Sequence, residues 1–399
     1  MSAGWRRSEL AYCSNVHPGE QLDAVERTLL GSIAGVRARR GLATAASGLW
    51  LAEPAIRALD DPARRERWRG TLADAGIELI TLNGFPYGNF HAESVKERVY
   101  VPDWSDPRRR DYTLALAGLL AECLPPHAWE GTISTMPLGF QPTWTRARHA
   151  AALTALVAMA RELGELAQRH GHAIRVCLEM EPGCVLERSD QVVELFTRDL
   201  PAAAAKLGVD AALLDAHLGV CFDICHQAVM FEDAQAALAR LAAANVHVGK
   251  IQVSSALEAV LPAQARAALA HYDEPRYLHQ VRTAPLADGT QAGVMDLGAA
   301  LEPDGLPDSA AWRVHFHVPI QADALADGML TTTRAEIGKV LDYLAREPGL
   351  HPQLEVETYT WHVLPPDVRP ADDEALIDGL AAELAWLEGE LAARKLLAT

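Results

Sequence analysis

The middle of the chain contains two short apolar runs that each end in acidic side chains. The first run, 174–178, ends at Glu179, and the second, 218–222, ends at Asp223, with His226 three residues further on. Charged groups are costly to bury unless they are paired or coordinate a metal ion. Carboxylates and an imidazole at the ends of successive buried strands therefore favour one metal pocket, built where those strands end.

Strand-like and helical patterns alternate along the whole chain, which is typical of parallel βα units. The predicted strands are 10–16, 42–47, 77–82, 131–139 with its exit loop, 174–182, 218–226, 246–255 and 354–361. The predicted helices are 21–39, 54–59, 64–75, 111–124, 145–169, 191–200, 203–217, 233–243 and 372–397. The number of βα units approaches eight, so the pattern favours an α/β fold of the (β/α)₈ TIM-barrel type.

We predict a single TIM-barrel domain over residues 1–399, with an insertion at about 257–312 after strand seven. The C-terminal helix, 372–397, is expected to pack over the barrel base. The run 314–320 fits either a ninth strand within the insertion or an alternative eighth barrel strand, and the sequence leaves both open. The aromatic, proline-containing segment 89–106 fits an active-site lid and a loop packed on the rim equally well.

Composition and charge restrict the class of partner. Hydrophobic residues make up 49% of the chain, enough for a large core, and the net charge of −17 argues against nucleic-acid binding. No apolar run reaches the roughly 18 residues of a transmembrane helix, and the first ten residues lack the apolar region of a secretory signal. We therefore expect a cytoplasmic protein with no transmembrane segment and a small-molecule metabolite as its partner; a homo-oligomer is left open.

The six cysteines are expected to remain thiols in a reducing compartment. Cys177, Cys221 and Cys225 lie within or beside apolar strand patterns, where a free thiol usually serves as a small buried hydrophobe. Cys221 and Cys225 do not have CxxC spacing, so a zinc-thiolate site is only weakly supported.

Polar residues near the ends of the late strands are the candidates for the site. Functional groups of a (β/α)₈ barrel gather at the C-terminal ends of its strands. By that rule the candidates are Glu179, Glu181, Asp223, His226, Gln252, His317, Glu355 and Glu357. Most of these are oxygen donors, which favours a divalent ion such as Mn²⁺ or Mg²⁺, with Zn²⁺, Co²⁺ or Fe²⁺ left open.

Plainer interpretations compete with metal ligation. A glutamate at a strand end is commonly solvated or half of a surface ion pair, and a glutamine such as Gln252 often satisfies a buried backbone group. Glu181 and Glu355 fit a place beside the ligands, or facing the substrate, better than ligation itself. His315 and His317 would share one side of a strand, where packing and ligation are equally expected.

Four short segments of the late strands resemble the xylose isomerase-like barrels, a group that contains sugar phosphate isomerases and epimerases. They are Leu178-Glu179, 222–226, 250–253 and 356–359. In that group a metal is typically held by a Glu, an Asp, a His or Gln and a second Glu from four late strands. The resemblance implies the ligand set Glu179, Asp223, Gln252 and Glu357, with His226 touching the substrate. Because this chain has Glu pairs at 179/181 and 355/357, the choice within each pair stays open.

Three further segments, 12–20, 83–88 and 354–362, are similar to the bacterial family called metabolite traffic protein EboE. This likeness covers nearly the whole chain. That family belongs to a gene cluster implicated in moving or making small metabolites. The resemblance supports the barrel fold more than it indicates a substrate.

Together these features predict a divalent-metal enzyme that isomerises or epimerises a small polyhydroxylated carbonyl compound. Glu179 and Glu357 would remove and return the proton, and His226 would hold a terminal oxygen. The predicted substrate-binding residues are Asn15, Asn83, Tyr87, Glu181, His317 and Trp361. Two alternatives remain: a metal-dependent hydrolase with a multinuclear site, and a metabolite-binding or carrier protein without turnover.

Overall fold

A parallel sheet curled into a barrel organises the computed structural model, which describes residues 4–398. The strands are β1 (Ala11–Tyr12), β2 (Ala45–Trp50), β3 (Ile77–Asn83), β4 (Glu130–Thr135), β5 (Ala173–Glu179), β6 (Leu218–Asp223), β7 (Val248–Val253), β8 (Leu257–Ala259), β9 (Val281–Thr283), β10 (Gly293–Val294), β11 (Trp312–Val314), β12 (Ala324–Leu325), β13 (Leu330–Thr332) and β14 (Gln353–Val356). The barrel strands are hydrogen-bonded in the order β1-β14-β7-β6-β5-β4-β3-β2. A bridge between Cys13 and Gly48 joins the two edges of this sheet. The predicted (β/α)₈ barrel is confirmed.

Helices connect the strands and cover the outside of the barrel. They are α1 (Leu22–Thr28), α2 (Ala34–Arg39), α3 (Glu53–Ala58), α4 (Pro62–Ala75), α5 (Pro107–Cys123), α6 (Arg146–His170), α7 (Ser189–Glu194), α8 (Leu200–Leu207), α9 (Ala212–His217), α10 (Ile224–Val229), α11 (Ala234–Ala243), α12 (Pro262–Leu269), α13 (Leu297–Leu301), α14 (Arg334–Arg346) and α15 (Asp373–Ala393). Among the described residues, no helix is both long enough and apolar enough to cross a membrane.

Local sequence explains where the longer helices begin and end. Asp61 and Asp106 each accept hydrogen bonds from backbone N–H groups in the first turn of α4 and α5, and a proline follows each aspartate. Thr145 caps α6 in the same way. The helix α6 then ends at Gly171, whose φ of 78° lies in the left-handed region that glycine adopts without strain.

Both terminal barrel strands are shorter than the sequence predicted. The strand expected over 10–16 ends at Tyr12, because residues Ser14–Val16 form a 3₁₀ turn. The strand expected over 354–361 ends at Val356, and residues Tyr359–Val363 form another 3₁₀ turn. After each early ending the backbone leaves the direction of the strand.

The segment between β7 and α14 forms a second sheet. Its six antiparallel strands have the order β10-β9-β11-β8-β13-β12 and lie between Leu257 and Thr332, past the expected insertion end at 312. Only Val314 of the run 314–320 is in a strand, at the end of β11 in this second sheet, and β14 is the eighth barrel strand. Residues 315–320 cross the barrel mouth without strand structure.

The sequence suggested that the C-terminal helix packs over the barrel base, but the structure places it elsewhere. It packs along the barrel wall, against α2, α14 and β1. Near its middle, Glu383 accepts hydrogen bonds from Thr358 and Trp361, which follow β14. This wall position is the ordinary place for the last helix of a (β/α)₈ barrel, between its first and last strands.

The segment 89–106 packs on the second sheet. The backbone N–H groups of Val95 and Lys96 both donate to the carbonyl oxygen of Arg276, at 2.7 and 2.9 Å. Its base is held by the buried guanidinium of Arg109, which donates to the carbonyl oxygens of Gly84, Phe85 and Pro102. The segment and the second sheet therefore cover the barrel mouth together.

Candidate metal centre

Four barrel strands bring the predicted ligand set together at one end of the barrel. Glu179 and Asp223 are the last residues of β5 and β6, Gln252 lies opposite Asp223 in the register of β7, and Glu357 follows β14 directly. All four side chains are buried. Carboxylate oxygens of Glu179, Asp223 and Glu357 lie within 4.8 Å of one another.

Several buried polar atoms at this end have no hydrogen-bond partner. They are Oε2 of Glu179, Oδ2 of Asp223, both amide atoms of Gln252, Nε2 of His317 and Oδ1 of Asn15. An unpaired polar group inside a protein costs its full desolvation free energy, and a charged one costs more. Except for the amide nitrogen of Gln252, these atoms are lone-pair donors, so the residues fit a bound divalent cation.

The carboxylates of the cluster repel one another. Burial, then Glu357 and Asp223, raises the pKa of Glu179 well above its usual range. Burial, then Asp223 and Glu355, raises the pKa of Glu357 to about 8. A divalent cation would offset this repulsion directly.

The two members of the last glutamate pair have different surroundings. Glu355 lies deeper in the barrel, where its Oε1 is 2.8 Å from Nζ of Lys250, and both side chains are fully buried. Glu357 lies at the carboxylate cluster, where its Oε1 accepts hydrogen bonds from Nδ2 of Asn15 at 2.8 Å and of Asn83 at 3.1 Å. The geometry therefore favours Glu357 over Glu355 as the ligand.

Glu181 lies apart from the three clustered carboxylates. Its Oε1 accepts a hydrogen bond of 2.7 Å from the hydroxyl of Tyr100, and that hydroxyl accepts one from Gln280. Burial raises the pKa of Glu181, and His226 opposes this effect. Glu181 lines the cavity described below.

Two histidines beside the carboxylates carry an unprotonated Nε2 atom. Nδ1 of His226 lies 2.8 Å from the carbonyl oxygen of Met180, and Nδ1 of His317 lies 2.8 Å from that of Glu357. A carbonyl oxygen only accepts, so both Nδ1 atoms carry the proton and both Nε2 atoms carry a lone pair. One ligand atom each from Asp223, His226 and His317 lies within 4.8 Å of the other two.

A third histidine, directly after β11, completes this group. Nδ1 of His315 donates to Oε1 of Gln280 at 2.6 Å. The side-chain nitrogen of Gln280 donates to the carbonyl oxygen of Pro182, and this fixes which end of the Gln280 amide faces His315. Nε2 of His315 lies 3.0 Å from Nε2 of His226, so two lone pairs face each other. Such a contact requires either one shared proton or a cation bound to both nitrogens.

Burial keeps two of these imidazoles neutral. Burial, then His226 and His317, lowers the pKa of His315 well below its usual range. Burial also lowers the pKa of His317 to about 4. Neutral imidazole is the form that ligates metals.

A cavity of about 520 Å³, including the part open to solvent, leads to the cluster. Besides Glu181 and the cluster residues Glu179, Glu357, His226 and His315, it is lined by Asn15, Asn83, Phe85, Pro86, Phe90, Val95, Lys96, Val99, Tyr100, Tyr277, Leu278 and Tyr359.

Three residues predicted to bind substrate, Tyr87, His317 and Trp361, do not line this cavity. The ring of Tyr87 packs against Tyr112, with centroids 5.1 Å apart, and its backbone carbonyl accepts from Glu53. Trp361 is turned by the 3₁₀ segment toward Glu383, to which its indole N–H donates. Tyr87 and Trp361 thus face away from this cavity, and their part in substrate binding stays a prediction.

Sequence reasoning missed the residues that the second sheet and the loop after β3 bring to the cavity. Phe90, Tyr277 and Leu278 lie in irregular segments that carry no periodic pattern. The sequence pattern places Lys250 in a strand, but its acidic partner was not predicted. A lysine in the middle of a buried strand signals a buried acidic partner, here Glu355.

No known protein-family profile matches this chain, and no curated protein matches its sequence. Solved structures match its fold. A xylose isomerase domain protein from Planctomyces limnophilus has a TM-score of 0.51 and 15% identity, over 98% of this chain and 99% of that one. The chain thus has the xylose isomerase-like (β/α)₈ barrel fold.

Two sugar epimerases have more distant likenesses. The D-allulose 3-epimerase from Methylomonas sp., solved with D-allulose, has a TM-score of 0.44 and 12% identity, over 96% of this chain and 98% of that one. The 3-keto-D-glucoside 4-epimerase from E. coli has a TM-score of 0.45 and 11% identity, over 96% and 99%.

Proposed function

We propose that this chain is a divalent-metal-dependent isomerase or epimerase of a small polyhydroxylated carbonyl compound. One observation carries the proposal: three buried carboxylates converge at the barrel mouth beside the unpartnered amide of Gln252. Glu179, Asp223, Gln252 and Glu357 would hold the ion, with His317 as a further donor. When bound, such an ion supplies Lewis-acid stabilisation of negative charge on substrate oxygens.

Glu179 and Glu357 are the proposed acid and base. They approach the cavity from different strands, and both line it. Oε2 of Glu179 has no partner in the protein, so it is free to take a proton from a substrate carbon. Asn15 and Asn83, which donate to Oε1 of Glu357, would orient that carboxylate for the return of the proton. His226, held by Met180, would position a substrate oxygen with Nε2.

Exchange of substrate protons with deuterium from solvent tests this proposal. We expect metal-loaded protein to exchange the proton next to the carbonyl group of a ketose, and Glu179→Gln or Glu357→Gln to lower the rate by at least ~100-fold. Glu165→Gln, an exposed change on α6, is the matched control and should leave the rate unchanged. Undiminished exchange in either site variant would remove that residue from proton transfer.

A second candidate function is metal-assisted hydrolysis at a multinuclear site. The Nε2 atoms of His226 and His315 face each other at 3.0 Å, a separation typical of two ligands of one ion. An ion held there, in addition to one at the carboxylate cluster, would make the site multinuclear. Metal analysis of the purified protein discriminates the two candidates. One ion per chain favours the isomerase, whereas two or more, with no proton exchange, favour the hydrolase. Binding of a metabolite without exchange or cleavage would indicate a carrier.

The finer sequence predictions belong to this proposal. We infer a single domain over 1–399, a cytoplasmic location, and no nucleic-acid partner. Membership of the EboE-type family and the identity of the metal, Mn, Mg, Zn, Co or Fe, also stay predictions. The oxygen-rich ligand set supports Mn²⁺ or Mg²⁺, and the neutral histidines support Zn²⁺, Co²⁺ or Fe²⁺.

A further inference from the structure

We propose that the substrate of this site is uncharged, with neither a phosphate nor a carboxylate group, and that it lays a hydrocarbon face on a wall of aromatic rings. The wall consists of Phe90, Tyr277 and Tyr359. This inference rests on the proposed function, because it names the class of carbonyl compound that the same cavity accepts.

The three rings of the aromatic wall contact one another and come from three separate parts of the chain. Ring centroids are 5.0 Å apart for Phe90 and Tyr277, 5.5 Å for Phe90 and Tyr359, and 5.0 Å for Tyr277 and Tyr359. Mutual packing of this kind fixes the rings in place. The wall is therefore a preformed surface and needs no substrate to assemble it.

The aromatic wall reaches the metal centre. The ring centroid of Tyr359 lies 4.7 Å from that of His317, and its hydroxyl lies 3.5 Å from Nε2 of His315. A small compound whose oxygens face the carboxylate cluster has its carbon skeleton beside these rings. Aromatic faces carry partial negative charge and attract the C–H bonds of a sugar or cyclitol ring. The wall thus suits a polyol with one face of C–H groups.

The remainder of the lining repels anions. Three carboxylates, Glu179, Glu181 and Glu357, line the cavity, and Glu355 lies beneath it. Lys250, a buried lysine of β7, is already paired with Glu355. A bound divalent ion would keep the carboxylates that hold it ionised and would offset only part of their negative charge. A phosphate or carboxylate on the substrate would therefore add repulsion at short range.

No free cation lines the cavity to receive an anion. Among its lining residues, all in the described part of the chain, Lys96 is the only lysine or arginine. Its Nζ contacts Oδ2 of Asp296 at 2.6 Å and the carbonyl oxygens of Tyr277 at 2.7 Å and Glu274 at 3.3 Å. An ammonium group has three protons, so all are used. Lys96 fastens the loop after β3 to the second sheet and does not serve the substrate.

Binding of matched ligand pairs tests this inference. Metal-loaded Glu179→Gln protein, which cannot complete proton transfer, is titrated in a calorimeter with free ketohexoses and inososes and with their phosphate esters. We expect at least one free compound to bind ~100-fold more tightly than its ester. Equal or tighter binding of the ester overturns the inference, and so does an absence of binding by every free compound. Tight binding without proton exchange by the unmodified protein contradicts the proposed function alone.

Substitution of the aromatic wall provides the second arm. Tyr277→Ala should weaken binding of the free compound at least ~10-fold, while Tyr277→Phe, which keeps the ring, should restore it. Trp129→Ala is the matched control, because that ring is 72% exposed and lies outside the cavity. Unchanged affinity in a folded Tyr277→Ala protein would overturn the role of the aromatic wall.

Discussion

At the residue scale, one glycine makes room for a buried ion pair. Glu355 and Lys250 are fully buried inside the barrel, and the carboxylate of Glu355 occupies the space that a side chain on Gly48 would fill. A Cβ atom at Gly48 would lie 1.2 Å from Oε2 of Glu355. The pair supports the site because it leaves Glu357, two residues further on, free for the carboxylate cluster.

Gly48→Ala is expected to destabilise the protein by this steric conflict. Displacing Glu355 would leave Lys250 without its partner, and breaking a buried pair costs about 3–5 kcal/mol. Gly389→Ala is the control: Gly389 is exposed in α15 with open space around its Cα, and the change should add about 0.5–1 kcal/mol of stability. Urea denaturation measures both, and equal stability of the two variants would contradict the prediction.

At the element scale, a buried glutamate joins the last helix to the end of the last barrel strand. Glu383 of α15 accepts hydrogen bonds from the backbone N–H of Ile320, the hydroxyl of Thr358 and the indole N–H of Trp361. These three residues flank the segments that carry His317 and Glu357. Glu383 therefore acts on the site only through the backbone that it holds.

The titration of Glu383 predicts how stability depends on pH. Burial raises its pKa from 4.5 to about 7, although its hydrogen bonds oppose the shift. The folded state thus favours the protonated carboxyl. Its contribution to stability is complete below pH 4.5, and as pH rises to about 7 it is lost, by about 3 kcal/mol.

Glu383→Gln cannot ionise, so this loss should be absent from the variant. Urea denaturation at several pH values between 4.5 and 7 measures the difference in free energy of unfolding between the two proteins. We expect the difference to change in favour of the variant as pH rises. Parallel curves for the two proteins would show that Glu383 does not titrate in this range.

At the scale of the whole molecule, the site lies between the barrel and the second sheet. The barrel strands supply the carboxylates, whereas loops between the strands of the second sheet supply Tyr277, His315 and His317. At this boundary the barrel has unpaired oxygens of Glu179 and Asp223, and the loops of the second sheet have the unpaired Nε2 of His317. A divalent ion that binds both parts should therefore stabilise the folded chain as a whole.

Metal removal tests that expectation. Treatment with a chelator should lower the melting temperature, and return of Mn²⁺ or Zn²⁺ at 100 times its Kd should add about 2.7 kcal/mol of stability. Asp223→Asn should abolish the effect, since Asp223 belongs to both groups of candidate ligands. Asp304→Asn, an exposed change, is the control. A metal-induced shift that survives in Asp223→Asn would place the ion elsewhere.

The sequence by itself determined the barrel and most of the candidate ligand set. Alternating strand and helix patterns are local and periodic, so each βα unit can be read without its neighbours. Glu179, Asp223, Gln252 and Glu357 are close together because the C-terminal ends of parallel strands meet at one end of a barrel.

Only the tertiary structure decided what faces that ligand set. It placed Glu355 on Lys250, turned Tyr87 and Trp361 away from the cavity, and brought the aromatic wall over the cluster. These contacts join residues far apart in the chain, through irregular segments whose direction no periodic pattern encodes. A glutamate pair looks the same in sequence whichever member is paired with a lysine. In the fold, Lys250 and the space at Gly48 mark Glu355, and the amides of Asn15 and Asn83 mark Glu357.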